Sequence, residues 1–261
     1  MAVPPLRALV ADGHDIALVV SAADKRRGRG NALSPSPLKA AALELGLPVT
    51  DRIDDLLALD PPAELGVVVA YGRIIKPPVL AHLPMVNLHF SLLPRWRGAA
   101  PVERALLAGD ERTGVCVMEV EEGLDTGGVY RQAIVEIGAD ETAEELRAEL
   151  VRVGTGLLID ALREGLGTPA PQDGEVTYAK KLDPAELEID WTRPPIELHR
   201  LVRLGGAWTT HHGKRLKVWR SRLGDDGRLE LLEVQPEGKG RMAFADWARG
   251  ARWQPDEPLG T

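Results

Sequence analysis

The sequence contains a single cysteine in 261 residues, and this scarcity excludes an internal disulfide. Cys116 lies in the apolar run GVCVMEV, where we expect a buried structural thiol rather than a reactive one. A chain without disulfides suits a reducing cytoplasm. The sequence also lacks an apolar run approaching the roughly 20 residues of a membrane span, and its first residues lack the features of a secretory leader. We therefore predict a cytoplasmic protein that does not enter a membrane.

Aromatic residues are also scarce, and acidic residues outnumber basic ones. Aromatics make up 4% of the chain against a hydrophobic fraction of 44%, so the core must be built mainly from Val, Leu and Ala. The net charge of −7 means that a nucleic-acid partner would have to bind local basic clusters rather than the overall field. Two clusters exist, and each alone is equally consistent with a solvated surface: Lys25, Arg26, Arg27 and Arg29 in the first, and Lys214, Arg215, Lys217, Arg220 and Arg222 in the second.

Apolar runs typical of strands alternate with helical patterns over the first three quarters of the chain. Runs at 15–21, 65–72 and 85–91 have strand character, and Thr142 with Glu145 forms a capping box before a long helical pattern. This alternation predicts an α/β fold with a Rossmann-like, mostly parallel sheet. The expected organisation is a catalytic domain over 1–170, a Gly- and Pro-rich linker over 171–184, and a smaller β-rich domain over 185–261.

Polar residues interrupt the strand-like run MVNLHFS at alternate positions. Asn87 and His89 should share one face of that strand, at the edge where open α/β sheets bind ligands. If the following strand ends at the same edge, Asp125 of EEGLDTGG joins them. An amide can stabilise an oxyanion, a histidine can shuttle a proton, and a carboxylate can orient that histidine and raise its pKa. This set suits acyl-type transfer, although spacing alone leaves a purely structural role open.

Covalent and metal-assisted chemistry fit the sequence less well. Ser91 adjoins the predicted site but lacks a nucleophile-elbow context, so direct attack by a substrate amine is the simpler interpretation. The histidines show no tight ligand spacing with carboxylates, and the pair His211 and His212 has the character of an exposed hairpin turn. We therefore predict no metal.

The run VNLHFSLLPRWRGAAP, followed by GLDTG, resembles the folate-dependent formyltransferases. DKRRGRGNALSPSPLK and VVVAYGRII resemble the members of that family that act on a charged tRNA. The resemblance covers essentially the whole chain. It implies that the formyl group of 10-formyltetrahydrofolate passes to the α-amino group of methionine on initiator tRNA.

The same resemblance assigns roles to individual residues. It implies that Asn87 and His89 hold the developing oxyanion and that Asp125 positions His89. Ser91, Leu92, Leu93 and Pro94 match the loop that contacts the folate. The resemblance further implies that Lys25, Arg26, Arg27 and Arg29 meet the tRNA acceptor stem. A β-barrel of the oligonucleotide-binding kind, carrying Lys214, Arg215 and Lys217, would contact the inside of the tRNA. We expect a monomer.

The chain departs from the family pattern at two places. The C-terminal segment after VWRSR is short, so the barrel is expected to be incomplete. The chain enters on the helix-like stretch PPLRALVADGHD, without the strand that normally feeds it, so we expect unpaired backbone groups in runs 15–21 and 65–72 and predict that a natural upstream strand would add stability. Two alternatives stay open: a formyltransferase of an amino-sugar nucleotide, and a catalytically inactive RNA-binding relative.

Overall fold

The structure, a computed structural model, describes residues 1–27, 32–254 and 257–260. It divides into two compact units, the first comprising 1–98, 114–135 and 148–178 and the second comprising 99–113, 136–147 and 179–261. The α-helices are α1 Val3–Ala11, α2 Pro37–Glu44, α3 Pro77–His82, α4 Pro101–Ala108, α5 Ala143–Glu164, α6 Pro195–Arg203 and α7 Phe244–Ala251. Two 3₁₀ helices span Ile53–Ala58 and Pro184–Leu187.

The described residues form fourteen strands. They are β1 Val19–Val20, β2 Lys25–Arg27, β3 Ala32–Ser34, β4 Val49–Thr50, β5 Gly66–Val69, β6 Met85–His89, β7 Arg97–Gly98, β8 Arg112–Glu119, β9 Val129–Glu136, β10 Tyr178–Ala179, β11 Trp208–His211, β12 Lys214–Leu223, β13 Leu229–Pro236 and β14 Met242–Ala243.

The first unit contains the predicted α/β sheet. Strand β1 pairs in parallel with β4, and β5 pairs in parallel with β6. Strand β8 then runs antiparallel to β6, and β9 completes the order β5-β6-β8-β9. Among the described residues, β1 has β4 as its sole strand partner and β5 has β6, so one edge of each strand lacks a partner. Such open edges were expected within runs 15–21 and 65–72.

Apolar side chains from helices and strands fill the space beside these strands. Leu6 of α1 packs with Val19 and Ala42, and Val79 of α3 packs with Met85 of β6. Helices α1, α2, α3 and α4 begin with proline in the first turn, where the missing N–H costs no helical hydrogen bond. Because Met85 anchors β6 in this core, the strand that carries the polar residues is held firmly.

The second unit contains a small antiparallel sheet in the order β11-β12-β13-β14. Leu216, Val218 and Val234 are buried on one face of this sheet, and Leu198 and Val202 of α6 are buried as well. A small β-rich unit, as expected from the sequence, is therefore present. In the part of the chain that the structure describes, the sheet has four strands and does not close into a barrel.

The capping box predicted before the long helix is present. Thr142 Oγ1 accepts a hydrogen bond from the Glu145 N–H at 3.3 Å, and the Glu145 carboxylate accepts one from the Thr142 N–H at 2.9 Å. None of the helices within the described ranges combines the length and the apolar character needed to cross a bilayer.

Candidate active site

Strand β6 places Asn87 and His89 on one side and Val86 and Leu88 on the other. Val86 and Leu88 are almost fully buried, in keeping with the two-residue repeat of a strand. In the parallel and antiparallel registers, Asn87 lies opposite Val68 and Met118, respectively. Both polar residues of β6 are thus held by a strand that is paired on both edges.

The imidazole of His89 is buried and anchored through one nitrogen. Its Nε2 lies 2.9 Å from the carbonyl oxygen of Trp96. Because a carbonyl can only accept, the ring proton of neutral His89 must sit on Nε2, and this leaves a lone pair on Nδ1. Nδ1 faces the Asp125 carboxylate, with 3.6 Å between Nδ1 and Oδ2. That separation exceeds a hydrogen bond and is the spacing expected when neither atom carries a proton.

Burial lowers the pKa of His89 below its usual 6.5. The charge of Asp125 and the hydrogen bond to Trp96 act in the opposite direction, but they do not overcome the loss of solvation. Sequence reasoning expected the carboxylate to raise the pKa of His89, and that expectation omitted the burial of the ring. His89 is therefore a neutral base at physiological pH, with a carboxylate ready to stabilise its protonated form.

The carboxylate of Asp125 is held in place by the backbone. Its Oδ2 accepts a hydrogen bond from the Gly98 N–H at 2.7 Å, and its side chain is 16% exposed. Asp125 has a φ of 51°, in the left-handed region. Nearby, a side chain at Gly127 would approach the Glu119 carbonyl to 2.1 Å, so this loop can close onto the sheet only with glycine there.

A residue that sequence reasoning did not single out, Gln172, ties the site together. Its Nε2 donates to the carbonyl oxygens of Asp125 and Gly127, both at 2.8 Å. Its Oε1 accepts from the guanidinium of Arg97 at 2.6 and 3.0 Å. Gln172 lies in the segment predicted to be a linker, and its Pro- and Gly-rich surroundings carry no sequence pattern that points to the site.

Thr177, from the same segment, braces the loop that presents its carbonyl to His89. Its Oγ1 accepts a hydrogen bond from the Trp96 N–H at 2.8 Å, and its carbonyl accepts one from the Arg97 N–H at 2.9 Å. Trp96 has a φ of 63°, which is unfavourable for a bulky side chain and persists only where neighbours enforce it. The predicted linker thus supports the loop of the candidate site.

Asn87 is the polar member of the site without an internal partner. It is half-buried, and across residues 1–27, 32–254 and 257–260 its side-chain amide makes no hydrogen bond. Its N–H groups are therefore available to an oxyanion on a bound substrate.

The predicted folate-contacting loop faces largely inward. The Ser91 hydroxyl is fully buried and donates to the Arg95 carbonyl at 2.6 Å, and Leu93 packs with Cys116. Pro94 is also buried, whereas Leu92 is half-buried. Of these four residues, Leu92 alone keeps part of its side chain accessible. Burial raises the pKa of the Cys116 thiol to about 11, which agrees with the structural role predicted for it.

The first basic cluster lies on a small antiparallel hairpin. Strands β2 and β3 pair with Lys25 opposite Ser34, and Lys25 and Arg26 are exposed. Arg27 contributes backbone to β2. Arg29, the residue singled out first from the sequence, lies outside the described residues.

The second basic cluster separates into two groups. Arg220 is paired with Glu145 at 2.5 Å, and Arg222 with Glu230 at 2.6 Å, so carboxylates already neutralise both. On the remaining group, the Arg215 guanidinium lies 3.9 Å from the ring centroid of Trp208, and the Lys217 ammonium lies 5.7 Å from that of Trp219.

Sequence reasoning missed the aromatic part of this surface. Arg241 also stacks on Trp219, at 3.5 Å, and the Trp219 indole donates to Gln235. Cations interleaved with tryptophan rings on one face of a sheet are typical of surfaces that bind single-stranded nucleic acid. The sequence could have revealed this mixture of basic and aromatic residues, because tryptophans flank the HHGKRLKV stretch.

Comparison with known proteins agrees with this geometry. The sequence profile of the formyl transferase family matches residues 5–162, and that of the formyl transferase C-terminal domain matches 181–226. The chain is 42% identical to a methionyl-tRNA formyltransferase of Jannaschia sp. (strain CCS1), over 98% of this chain and 96% of the relative. It is 43% identical to a methionyl-tRNA formyltransferase of Paracoccus denitrificans, over 95% and 93% of the two chains.

Solved structures share the fold. A sugar 3N-formyl transferase, WlaRD, crystallised with dTDP and 5-N-formyl-THF, superposes with a TM-score of 0.66 at 16% identity, over 92% of this chain and 95% of its own. HypX from Aquifex aeolicus, in complex with tetrahydrofolic acid, gives a TM-score of 0.60 at 18% identity, over 79% of this chain and 43% of its own. The sequence matches, together with this shared fold, show that the chain belongs to the formyl transferase family and, within it, to the methionyl-tRNA formyltransferases.

Proposed function

We propose that this protein transfers the formyl group of 10-formyltetrahydrofolate to the α-amino group of methionine on initiator methionyl-tRNA, giving N-formylmethionyl-tRNA. The observation that carries the proposal is the arrangement on β6. A neutral His89 has its Nδ1 lone pair beside Asp125, and a free Asn87 amide lies on the same face. This arrangement occurs in a chain that is 42% identical to a methionyl-tRNA formyltransferase over almost its whole length.

The chemistry follows from what each group can do. The methionine amine attacks the formyl carbon, and the carbonyl oxygen gains negative charge, which the Asn87 amide stabilises by donating a hydrogen bond. The new ammonium must lose a proton, and the Nδ1 lone pair of His89 accepts it. Asp125 stabilises the resulting imidazolium. When the bond to the folate nitrogen breaks, the proton held on His89 passes to that nitrogen, so His89 returns to its neutral form.

Gln172 acts as a positioning residue in this scheme. It holds the backbone of Asp125 through its amide N–H groups and is itself oriented by Arg97. The folate is proposed to lie along the loop formed by Ser91, Leu92, Leu93 and Pro94, with Leu92 and the backbone providing the contacts. The donor is a co-substrate, and no metal enters this scheme.

The basic residues are proposed to bind the tRNA. Lys25, Arg26, Arg27 and Arg29 would meet the acceptor stem, and Lys214, Arg215 and Lys217 would contact the tRNA backbone beside the half-buried tryptophan rings. Phosphate contacts position a nucleic acid and make its binding sensitive to salt. Arg220 and Arg222 are left out of this surface, since their charges are already engaged by Glu145 and Glu230.

The remaining proposals concern organisation. We propose that residues 1–170 form the catalytic domain and that residues 185–261 form the tRNA-contacting domain, joined by 171–184. The protein is proposed to act as a monomer in the cytoplasm, where charged initiator tRNA and reduced folate are found together.

The test is formyl transfer from 10-formyltetrahydrofolate to methionyl initiator tRNA, with methionyl elongator tRNA and an amino-sugar nucleotide as competing acceptors. We expect formylation of the initiator tRNA and little of the other two. Preference for the amino-sugar nucleotide would assign the protein to the other acceptor class. Tight tRNA binding without transfer to any acceptor would support an inactive RNA-binding relative.

A further inference from the structure

Three metal-ligating side chains converge at the end of β11. The Nε2 atoms of His211 and His212 lie 3.1 and 3.0 Å from the same oxygen, Oε1 of Glu257. All three donor atoms lie within 4.8 Å of one another. This cluster belongs to the second unit and plays no part in the formyl-transfer scheme. The sequence alone indicates only a turn at His211 and His212. It does not reveal their carboxylate partner, because Glu257 lies far along the chain.

The backbone turns both rings to the same side. Adjacent residues on a strand point to opposite faces, so two consecutive histidines would normally diverge. His212 and Gly213 occupy the two central positions of the β11–β12 hairpin, and both have positive φ, 50° and 71°. This is the pattern of a type I′ turn, in which Asn-Gly is the usual pair. The turn brings the two imidazole centroids to 4.1 Å.

The carboxylate arrives on a tail that is itself held in place. The Trp253 indole donates to the Glu257 carbonyl at 3.0 Å, and the Gly260 N–H donates to the Thr210 carbonyl at 2.8 Å. The ring of His211 stands edge-on to Trp247, with 5.1 Å between centroids. The donor atoms are therefore positioned without a ligand, and binding an ion would require little further ordering.

Two of the three donor separations are close to those of a tetrahedral zinc site. Bonds of about 2.0 to 2.1 Å from zinc to nitrogen or oxygen place neighbouring ligand atoms about 3.3 Å apart in a tetrahedron. The two observed separations, 3.1 and 3.0 Å, are close to that value. Two imidazoles and one carboxylate favour Zn²⁺ over Mg²⁺ or Ca²⁺, which prefer oxygen ligands. His212 is 71% exposed, so an ion has an open path to the site.

We propose that His211, His212 and Glu257 bind one Zn²⁺ ion, with water in the fourth position, and that the ion pins the C-terminal tail to the β11–β12 turn. Binding requires both Nε2 atoms to be unprotonated, so each ring carries its proton on Nδ1 in the bound form. The competing interpretation is that Glu257 only accepts hydrogen bonds from two neutral rings. In that case the same three residues would show no affinity for zinc beyond that of an ordinary surface histidine.

The experiment is calorimetric titration of the chelator-treated full chain with ZnCl₂, repeated with CoCl₂ to record the visible bands of tetrahedral cobalt. We expect one ion per chain, tetrahedral cobalt bands, and a melting temperature that rises with zinc concentration. Glu257→Gln and His212→Asn should each weaken binding at least tenfold. Asparagine suits the left-handed backbone at 212, and glutamine still accepts hydrogen bonds from the rings, so both variants are expected to fold.

Two control variants match these changes elsewhere. His82→Asn removes an exposed histidine, and His14→Asn removes one that faces a single carboxylate, Asp12, at 3.3 Å. Neither should alter zinc binding. The proposal is overturned if the parent binds zinc no better than the His212→Asn variant, or if Glu257→Gln binds as tightly as the parent. Because formyl transfer does not use this cluster, transfer activity of the zinc-free chain tests the proposed function separately.

Discussion

Two clusters of histidine and carboxylate occur in this chain, and they differ in burial and in the number of rings. His89 is 6% exposed, meets one carboxylate, and is anchored through its other nitrogen by a carbonyl. His211 and His212 both direct Nε2 at one oxygen of Glu257, and His212 is largely exposed. The same residue types therefore have different chemistry, because the surroundings decide which nitrogen is available and to what.

The buried cluster is suited to proton transfer. Burial lowers the pKa of His89, the Trp96 carbonyl selects the tautomer, and one lone pair is left beside Asp125. The cluster of His211, His212 and Glu257 is called the exposed cluster because His212 is exposed. It has three donor atoms within reach of one ion, and solvent can supply or remove that ion. The comparison teaches that a histidine beside a carboxylate is not assigned a function by proximity alone.

Asn87→Ala would break the buried cluster and should have the largest effect. Loss of an oxyanion donor is expected to lower the single-turnover rate of formyl transfer on the order of 10²-fold or more, with folate binding retained. The melting temperature should stay near that of the parent, because the Asn87 amide has no partner within the described chain. Glu257→Gln is the matched change in the exposed cluster and should leave the rate unaltered. A folded Asn87→Ala variant with near-normal turnover would remove the oxyanion role.

Gln172→Ala sharpens the comparison, because the Gln172 side chain holds the backbone of Asp125, whereas the Trp253 indole holds that of Glu257. Losing two hydrogen bonds of roughly 1 kcal/mol each should misplace Asp125 and lower kcat about tenfold. The KM for tRNA should change little, because Gln172 is not in the basic clusters. Gln172→Glu keeps the acceptor for Arg97 but loses the donors, so it should resemble the alanine variant. Normal kcat in both variants would show that Asp125 holds its position without Gln172.

The basic surface offers a similar comparison, between cations that a carboxylate engages and cations that stack on tryptophan. Smaller effects are expected there. Lys217→Ala should weaken tRNA binding a few-fold and reduce the slope of log affinity against log salt by about 1. Arg29→Ala should likewise weaken productive use of tRNA and leave folate binding intact. Arg222→Ala, whose charge is engaged by Glu230, is the internal control. Equal salt slopes for Lys217→Ala, Arg222→Ala and the parent would show that this surface is an ordinary solvated face that does not bind tRNA.

Local patterns in the sequence were enough to predict that Asn87 and His89 lie on one strand. The two-residue repeat around Asn87 and His89 reports directly on a buried strand, and the Thr142–Glu145 capping box is a contact between near neighbours. Asp125 was expected beside Asn87 and His89 on the condition that the following strand ends at the same edge, but β8 runs antiparallel to β6 and its last residue, Glu119, pairs with Val86. The loop 120–128 brings Asp125 back to His89 instead. The features that sequence did predict depend on residues that are close in sequence.

Residues brought in from distant, irregular segments could not be predicted in the same way. Gln172 and Glu257 lie in stretches without periodicity, and their roles depend on where the chain happens to return. The ion pairs that engage Arg220 and Arg222 have the same origin. Burial of His89 was also underestimated, because the sequence shows its charged neighbour but not the solvent that the fold removes.

The central claim is that His89 accepts a proton under the influence of Asp125, and the pH dependence of single-turnover formyl transfer tests it most directly. The active form of His89 is neutral, so the rate should fall as the pH drops through a pKa below 6.5. Because the charge of Asp125 raises the pKa of His89, Asp125→Asn should lower the plateau rate and move the acid limb to still lower pH. An acid limb that stays in place or moves to higher pH in the Asp125→Asn variant would contradict the account.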